Sequence, residues 1–245
     1  MEYKSKSQLA RIRTEEWTLN NLFCPFCGHP FVASATNTKV YDFTCPICDQ
    51  QYQLKAVSKK IGKKLVGSEY YTFIKAIENN CVPNFIIMEY SLNNTFVIPQ
   101  EIFFIPKVFI TKETIEKRKP LSETARRAGW TGYNLLFDRI PSYGKLLMAN
   151  DYGMISKEKI LNETRKISSL YNIDSQKVKW KIEILKIIDQ LDNEFKLQDV
   201  YQYLNKLEIL FPDNNHVKDK IRQQLQFIRD DGIIVFLGDG KYEKT

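Results

Sequence analysis

The sequence lacks an uninterrupted apolar run of 18 residues, and this absence excludes a transmembrane helix of the usual length. Residues 1–5 also lack the apolar segment of a signal peptide, so we expect no secretory leader and no membrane partner. Cysteine is scarce: four of the five lie in two CxxC pairs, which leaves Cys81 alone. Paired cysteines of this kind are typical of metal ligands, and we therefore expect a reducing, cytoplasmic location.

Positive charge is missing from one part of the chain and concentrated in the rest. The net charge is +7, yet residues 170–245 hold 12 Lys and Arg against 13 Asp and Glu. The basic remainder suits a surface that contacts phosphate groups. Its densest clusters lie at residues 59–64 and 118–127, although a solvated surface explains such clusters equally well. The length of 245 residues fits one sizeable domain and one small domain.

The two CxxC pairs have nearly the spacing of a four-thiolate zinc site. Cys24 and Cys27 form the first pair, and Cys45 and Cys48 form the second after 17 intervening residues. The alternatives are ordinary thiols or a zinc ribbon without any associated chemistry. In either zinc-containing case the ion would be structural, because four thiolates leave no open position for water.

A carboxylate and a Gln-x-Lys segment flank the second cysteine pair. Asp42 precedes the pair by three residues, whereas Gln53 and Lys55 follow it on the expected returning strand. A hairpin pinned by zinc would bring the three side chains together, as metal-dependent phosphodiester cleavage requires. The alternative is that both charges are simply solvated. Additional candidate carboxylates for a metal are Glu15, Glu16 and Glu69, which the sequence does not rank.

The first 150 residues have the pattern of an α/β domain. We expect helices at residues 6–22 and 67–79, where apolar side chains recur at helical spacing. Alternating or apolar runs predict strands at residues 40–44, 51–57, 84–90, 96–98 and 103–105. Residues 107–145 are rich in Lys, Arg, Gly and Pro, which favours a long irregular excursion.

After a loosening of the pattern at residues 168–174, the chain predicts three helices and a hairpin. The first two helices span residues 180–191 and 197–210. Asn214-Asn215 caps the third, whose apolar residues recur from Val217 to Ile228 and which ends at Asp231-Gly232, and the hairpin spans residues 233–242. This order is typical of a winged helix, whose third helix usually enters the DNA major groove. Its solvent face would show His216, Lys218, Asp219, Arg222, Gln223 and Gln226. Because this region has no net positive charge, a role in protein contact is an alternative.

Longer strings resemble the DpnI family of methyl-directed restriction endonucleases over nearly the full length. In the first part they are residues 7–17, the Cys24/Cys27 pair, Tyr41-Asp42-Phe43-x-Cys45-x-x-Cys48, Leu54-Lys55, Pro83-Asn84-Phe85, Arg118-Lys119-Pro120-Leu121 and residues 124–130. In the tail they are Trp180-x-Ile182-Glu183-Ile184-Leu185 and residues 214–226. These strings are far more specific than a zinc ribbon or a winged helix alone.

The resemblance implies an α/β fold: a PD-(D/E)xK nuclease core with an inserted four-cysteine zinc ribbon at residues 1–170, then a small winged-helix domain at 175–245. It also implies that both domains recognise double-stranded DNA at adenine-methylated GATC and that cutting uses Mg²⁺. Asp42 matches the aspartate of the motif and Lys55 its lysine, whereas Gln53 stands where the family has glutamate. A glutamine carbonyl can still bind Mg²⁺, but the loss of one charge should lower the affinity.

The resemblance also assigns DNA contacts. Trp130 matches an aromatic residue expected to reach the methylated adenine, and Arg126 or Arg127 beside it would hold a phosphate. In the tail we expect contacts from Asn215, His216, Lys218, Arg222 and Gln223. We therefore expect a Mg²⁺-dependent endonuclease with structural Zn²⁺, monomeric in solution. The alternatives are a non-catalytic reader of methylated DNA, disabled by Gln53, and a winged-helix transcription regulator.

Overall fold

The computed structural model describes residues 5–35, 40–93, 96–168 and 175–245. The chain divides into two compact units: Met1–Ile140 with Gly144–Thr164, and Pro141–Tyr143 with Arg165–Thr245. The loosened pattern at residues 168–174 lies, except for residue 168, outside the described residues. Within the described part of the chain, every helix is too short or too polar to cross a membrane.

Strands dominate the first unit, and helices dominate the second. The helices are α1 Lys6–Asn21, α2 Tyr70–Glu78, α3 Lys157–Ser168, α4 Ser175–Gln190, α5 Leu197–Tyr201, α6 Leu204–Leu210 and α7 Val217–Asp230. The strands are β1 Val32–Ala33, β2 Phe43–Thr44, β3 Gln51–Val57, β4 Lys64–Glu69, β5 Asn84–Asn93, β6 Phe96–Ile105, β7 Ile115–Lys117, β8 Gly132–Leu136, β9 Leu146–Asn150, β10 Gly153–Met154, β11 Glu194–Lys196, β12 Ile234–Gly238 and β13 Lys241–Lys244.

A seven-stranded sheet forms the core of the first unit, in the order β1-β2-β3-β5-β6-β9-β10. The pairing of β3 with β5 is parallel, and the other pairings are antiparallel. The expected central strand is confirmed in β5, where Phe85, Ile86, Ile87 and Met88 are fully buried. A separate three-stranded sheet has the order β4-β8-β7.

The helix expected at residues 67–79 begins later, at Tyr70, because the preceding residues extend β4. Gly67 is what allows the strand to lie there: a Cβ at this position would stand 2.1 Å from the Tyr133 ring. The carboxylate of Glu69 then caps α2 by accepting hydrogen bonds from the N–H groups of Tyr71 and Thr72, at 3.1 and 2.6 Å.

The strands expected at residues 96–98 and 103–105 are one continuous strand, β6. Pro99 pairs with Tyr90 next to a register shift, and β9 pairs with β6 only between Ile102 and Phe104. Proline is tolerated there because one side of the strand needs no donor. The irregular excursion expected at residues 107–145 contains β7 and β8, and the sequence pattern also missed α3, β9 and β10.

The second unit contains a winged helix, as expected. Its third strand, β11, was not expected, and it pairs with β13 in the order β11-β13-β12. The helix expected at residues 197–210 is divided into α5 and α6 by a turn at Gln202 and Tyr203. The expected asparagine cap of α7 is wrong by one residue: the N-cap is His216, and the Asn214 side chain accepts a hydrogen bond from its N–H at 2.9 Å.

Candidate metal cluster and catalytic cleft

The four cysteines of the CxxC pairs form one cluster. Their sulfur atoms all lie within 4.8 Å of one another, with 3.4 Å between Cys24 and Cys48 and 3.4 Å between Cys27 and Cys45. Four thiolates about 2.3 Å from a central zinc would be separated by about 3.8 Å, so the spacing fits one tetrahedral ion. The cluster can therefore hold a metal such as zinc, with every position filled by sulfur.

Each cysteine pair lies on a tight turn of the same construction. The Gly28 N–H donates to the Cys24 carbonyl at 2.7 Å, and the Asp49 N–H donates to the Cys45 carbonyl at 3.0 Å. Both turn residues have positive φ, 76° at Gly28 and 55° at Asp49. Glycine adopts this conformation without cost, and aspartate tolerates it better than most residues. The two turns are thus local structures dictated by the sequence around each pair.

The electrostatic environment differs among the cysteines. Burial raises the pKa of Cys24 to about 11, against the opposing effect of a hydrogen bond with Tyr52. Burial also raises the pKa of Cys45, but backbone N–H groups of Cys48 and Ile47 outweigh it and lower the value to about 7. N–H groups aimed at the sulfur favour the thiolate, which is the form that binds metal.

Strand β3 connects the cysteine cluster to a second polar site. Tyr52 is fully buried, and its hydroxyl lies 2.9 Å from the Cys24 sulfur. Successive side chains of a strand point to opposite faces, so Gln53 and Lys55 lie on the face away from Tyr52. The metal cluster therefore supports one face of the strand whose other face carries the Gln-x-Lys segment.

Asp42 is held against the middle of that segment. Its backbone N–H donates to the Tyr52 carbonyl at 2.8 Å, and its carboxylate oxygen Oδ2 accepts from the Leu54 N–H at 2.8 Å. Since Leu54 lies between Gln53 and Lys55, the bond places the carboxylate next to both. The structure thus brings together the three side chains expected to meet, although the first expected strand is only two residues long.

These three residues line a cleft of about 1040 Å³ between α1, β3, β4 and the end of β5. Gln53 is 8% exposed, and its side-chain oxygen Oε1 has no hydrogen-bond partner among the described residues. Burying an amide oxygen without a partner costs free energy, about 1–3 kcal/mol. An oxygen atom in this position is suited to bind a metal ion or another external ligand.

Lys55 stands in a partly buried position on the same strand. Burial lowers its pKa to about 8, while the negative charge of Asp42 opposes the shift. Its Nζ lies 5.8 Å from the centre of the Tyr133 ring. The ring belongs to the residue that required Gly67, so it forms a fixed wall beside the amine. Tyr133 was not among the expected site residues, and no local sequence signal marked it.

Helix α1 adds a charged pair, Arg11 and Glu15, to the cleft. Among the described residues, Glu15 is the one of the three additional carboxylates that lines the cleft. Glu69 is engaged as the cap of α2, and Glu16 is exposed outside the lining. Glu15 accepts a hydrogen bond from Nε of Arg11 at 2.5 Å. Arg11 was not expected here, although its i,i+4 spacing to Glu15 was visible in the sequence.

The tryptophan and the two arginines expected to contact methylated DNA lie on a separate loop. Hydrogen bonds from Gly129 and Leu121, of 3.1 and 2.9 Å, close the loop between Leu121 and Trp130. Arg126 and Arg127 are exposed, and Trp130 is half-buried. The indole packs against Gly132, where a Cβ would stand 2.9 Å from it. None of the three residues lines the cleft, so the structure does not join them to Asp42.

The expected face of α7 is exposed throughout. It shows His216, Lys218, Asp219, Arg222, Gln223 and Gln226, and Asn215 is exposed just before it. Val217, Ile221, Leu225 and Ile228 are buried on the opposite side. Arg222 lies 3.5 Å from Asp219 on the same helix, and the ring of Tyr201 lies 6.0 Å from its guanidinium carbon. The polar side chains are therefore available to an external partner.

Two family models together match nearly the whole chain. Residues 1–173 match the DpnI model of the Dam-replacing family, and residues 175–244 match the Dam-replacing HTH domain. The first match covers the cysteine cluster and the cleft, and the second covers the winged helix with α7. The mixed α/β fold, the four-cysteine cluster and the helix-turn-helix tail agree with this double match, and the chain belongs to the Dam-replacing family.

Proposed function

We propose that the chain is a Mg²⁺-dependent endonuclease that hydrolyses double-stranded DNA at adenine-methylated GATC-like sites. The observation that carries the proposal is the buried Oε1 of Gln53, which has no hydrogen-bond partner among the described residues and lies in a cleft shared with Asp42 and Lys55. Membership in the Dam-replacing family supports the methylated target. Residues 1–170 would be the nuclease domain and residues 175–245 the DNA-binding domain, in a monomer.

The donor atoms of the cleft suit Mg²⁺. This ion prefers oxygen ligands and commonly binds through one or two carboxylates together with phosphate and water. Asp42 and Gln53 offer a carboxylate oxygen and an amide oxygen, and Glu15 lines the same cleft. When bound, Mg²⁺ supplies positive charge that stabilises the phosphate during hydrolysis. The cysteine cluster suits Zn²⁺ in a purely structural role instead, because its ligands are all thiolates.

Lys55 is suited to act on the water and the phosphate. An amine with a pKa of about 8 loses and regains a proton readily near neutral pH, which favours general acid–base chemistry. In its charged form it also stabilises negative charge that develops on the phosphate oxygens. Asp42 is already oriented by its hydrogen bond from Leu54, so little reorganisation is required.

The recognition of the methyl group would be divided between the two domains. The half-buried Trp130 offers an aromatic surface to the apolar methyl group, and the exposed Arg126 and Arg127 would hold a phosphate. On α7, Arg222 and Gln223 are side-chain types that bind guanine and adenine edges with two hydrogen bonds. Asn215, His216 and Lys218 would support the same contact.

The proposal is tested by digesting one plasmid prepared from strains with and without adenine methylation. The wild-type chain with Mg²⁺ should cut only the methylated plasmid, and Asp42→Ala should cut neither. Binding of methylated DNA without any cleavage would instead identify a non-catalytic reader disabled by Gln53. Equal binding to both plasmids without cleavage would identify a sequence-specific regulator.

A further inference from the structure

Arg11 occupies the side of the cleft at which the acidic groups meet. Its Nε lies 2.5 Å from Oε1 of Glu15, and its Nη2 lies 3.9 Å from Oδ1 of Asp42. One guanidinium group thus connects two carboxylates that come from different elements. The Arg11 side chain is 71% exposed, so the guanidinium can move into solvent or onto a ligand without unpacking the core.

The two oxygens of Asp42 are not equivalent. Oδ2 already accepts the hydrogen bond from the Leu54 N–H, whereas Oδ1 faces Arg11. Oδ1 is therefore the better placed of the two to contact a cation in the cleft, together with Oε1 of Gln53, for which the described part of the chain offers no hydrogen-bond donor. A divalent ion at this point would stand close to the positive charge of Arg11, and the two charges would repel each other.

We propose that Arg11 couples metal binding to DNA binding, an inference that rests on the proposed nuclease function. Without DNA, Arg11 holds Glu15 and faces Oδ1 of Asp42, and its charge opposes the entry of a divalent ion. A DNA phosphate entering the cleft offers the guanidinium a stronger partner, since arginine binds phosphate with two parallel hydrogen bonds. The carboxylates are then released to the metal. Arg11 is a positioning residue in this scheme.

The coupling has a functional consequence. A nuclease that binds its metal weakly without DNA, and tightly once DNA is seated, assembles its active site only on a substrate. The loss of one formal charge at Gln53 strengthens the effect, because fewer negative charges remain to hold the ion. The alternative is that Arg11 and Glu15 form an ordinary i,i+4 ion pair, which stabilises α1 by only about 0.2–0.5 kcal/mol.

The test measures Mn²⁺ binding to zinc-loaded protein without DNA. Arg11→Met should bind Mn²⁺ about tenfold more tightly than the wild type, because one repelling charge near the ion is removed. Arg13→Met is the matched control: it makes the same charge change on α1 at a residue outside the cleft lining, and it should bind as the wild type does. Asp42→Ala gives the background from ions bound elsewhere.

A second arm repeats the titration with a methylated duplex that carries non-cleavable linkages. The wild-type affinity should rise toward that of Arg11→Met, so that the difference closes. Equal Mn²⁺ affinities without DNA, absence of Mn²⁺ binding by Arg11→Met, or a difference that DNA leaves unchanged would each overturn the inference. Failure of the proposed function is distinguishable, because it would show as uncut methylated plasmid while the affinity difference persists.

Discussion

The cleft of the first unit and the α7 face of the second unit place their polar side chains in opposite environments. In the cleft, Gln53 is buried, Lys55 has a lowered pKa, and Asp42 is anchored to a backbone N–H. On α7, Arg222 and Gln223 are exposed and contact neighbours on their own helix or the Tyr201 ring.

The proposed function gives this difference a physical reason. Chemistry on a phosphate gains most from groups that are oriented and partly desolvated before the substrate arrives. Recognition of bases requires long side chains that reach into a groove and become ordered on binding. Under this proposal, the first unit orders and partly desolvates its polar groups on folding, whereas the side chains of α7 become ordered only when DNA binds.

Substitutions in the cleft should abolish cleavage and leave DNA binding nearly unchanged. Asp42→Ala and Lys55→Ala should lower the single-turnover cleavage rate by at least about 10³-fold, because both groups act on the phosphate. Binding of methylated duplex, followed by fluorescence anisotropy, should change by less than about threefold, since neither residue contacts a base edge. Cleavage at the wild-type rate by either variant would place the active site elsewhere in the chain.

The cysteine cluster should matter for the cleft and not for α7. The wild-type chain should contain one zinc, and Cys45→Ser should lose it, because the cluster supplies folding free energy to the turns that position Asp42. The zinc content from elemental analysis and the cleavage rate should both fall to background, while DNA binding by residues 175–245 stays intact. Cys81→Ser is the control, since this exposed thiol lies outside the cluster. Wild-type protein purified without chelator but free of zinc would remove the cluster from the account.

Changes on α7 should affect binding and spare chemistry. Arg222→Ala and Gln223→Ala should each weaken binding to methylated duplex by about 1–3 kcal/mol, the usual value of a two-bond base contact. The cleavage rate at saturating DNA should remain within about twofold. Arg229→Ala serves as the charge-matched control near the end of the same helix. If both substitutions leave the affinity unchanged, α7 is a surface for protein contact.

The burial of the Lys55 amine should lower the free energy of unfolding by a modest amount. Because the folded-state pKa is lowered to about 8 from 10.5, the unfolded chain binds more protons between these values. Lys55→Met should therefore stabilise the protein at pH 7 by about 1–3 kcal/mol, and the gain should shrink as the pH rises toward 10. Urea titrations at several pH values measure it. A gain that is independent of pH would mean that the amine is fully solvated.

Local signals predicted the parts of the structure that local chemistry determines. The CxxC spacing predicted the cysteine cluster, and the Asp42 and Gln-x-Lys placement predicted which side chains meet in the cleft. The apolar periodicity of α7 predicted its exposed face. These patterns depend on residues close together in the sequence, or on one hairpin, so that spacing is enough to bring them together.

The predictions that were wrong or incomplete concern features that depend on contacts between segments distant in the sequence. Residues 67–69 have a helical pattern, but packing of the Tyr133 ring against Gly67 favours the strand β4. The two short strands are one strand, β6, because its pairing with β5 continues past Pro99. Arg11 was not predicted as a site residue, because its proposed role depends on the carboxylate of Asp42, which is 31 residues away in the sequence and is brought near only by the fold. The separation of Trp130 from the cleft lining was invisible in the sequence for the same reason.

We propose that Gln53 completes a working metal site instead of disabling it, and a Mg²⁺ titration of three proteins decides between these alternatives. Wild type, Gln53→Glu and Gln53→Ala are compared in single-turnover cleavage of one methylated duplex. Gln53→Glu should lower the Mg²⁺ concentration needed for half-maximal cutting or leave it unchanged, because it adds a negative charge. Gln53→Ala should raise it by at least about tenfold or stop cleavage. Three identical titration curves would show that Gln53 is not part of the metal site.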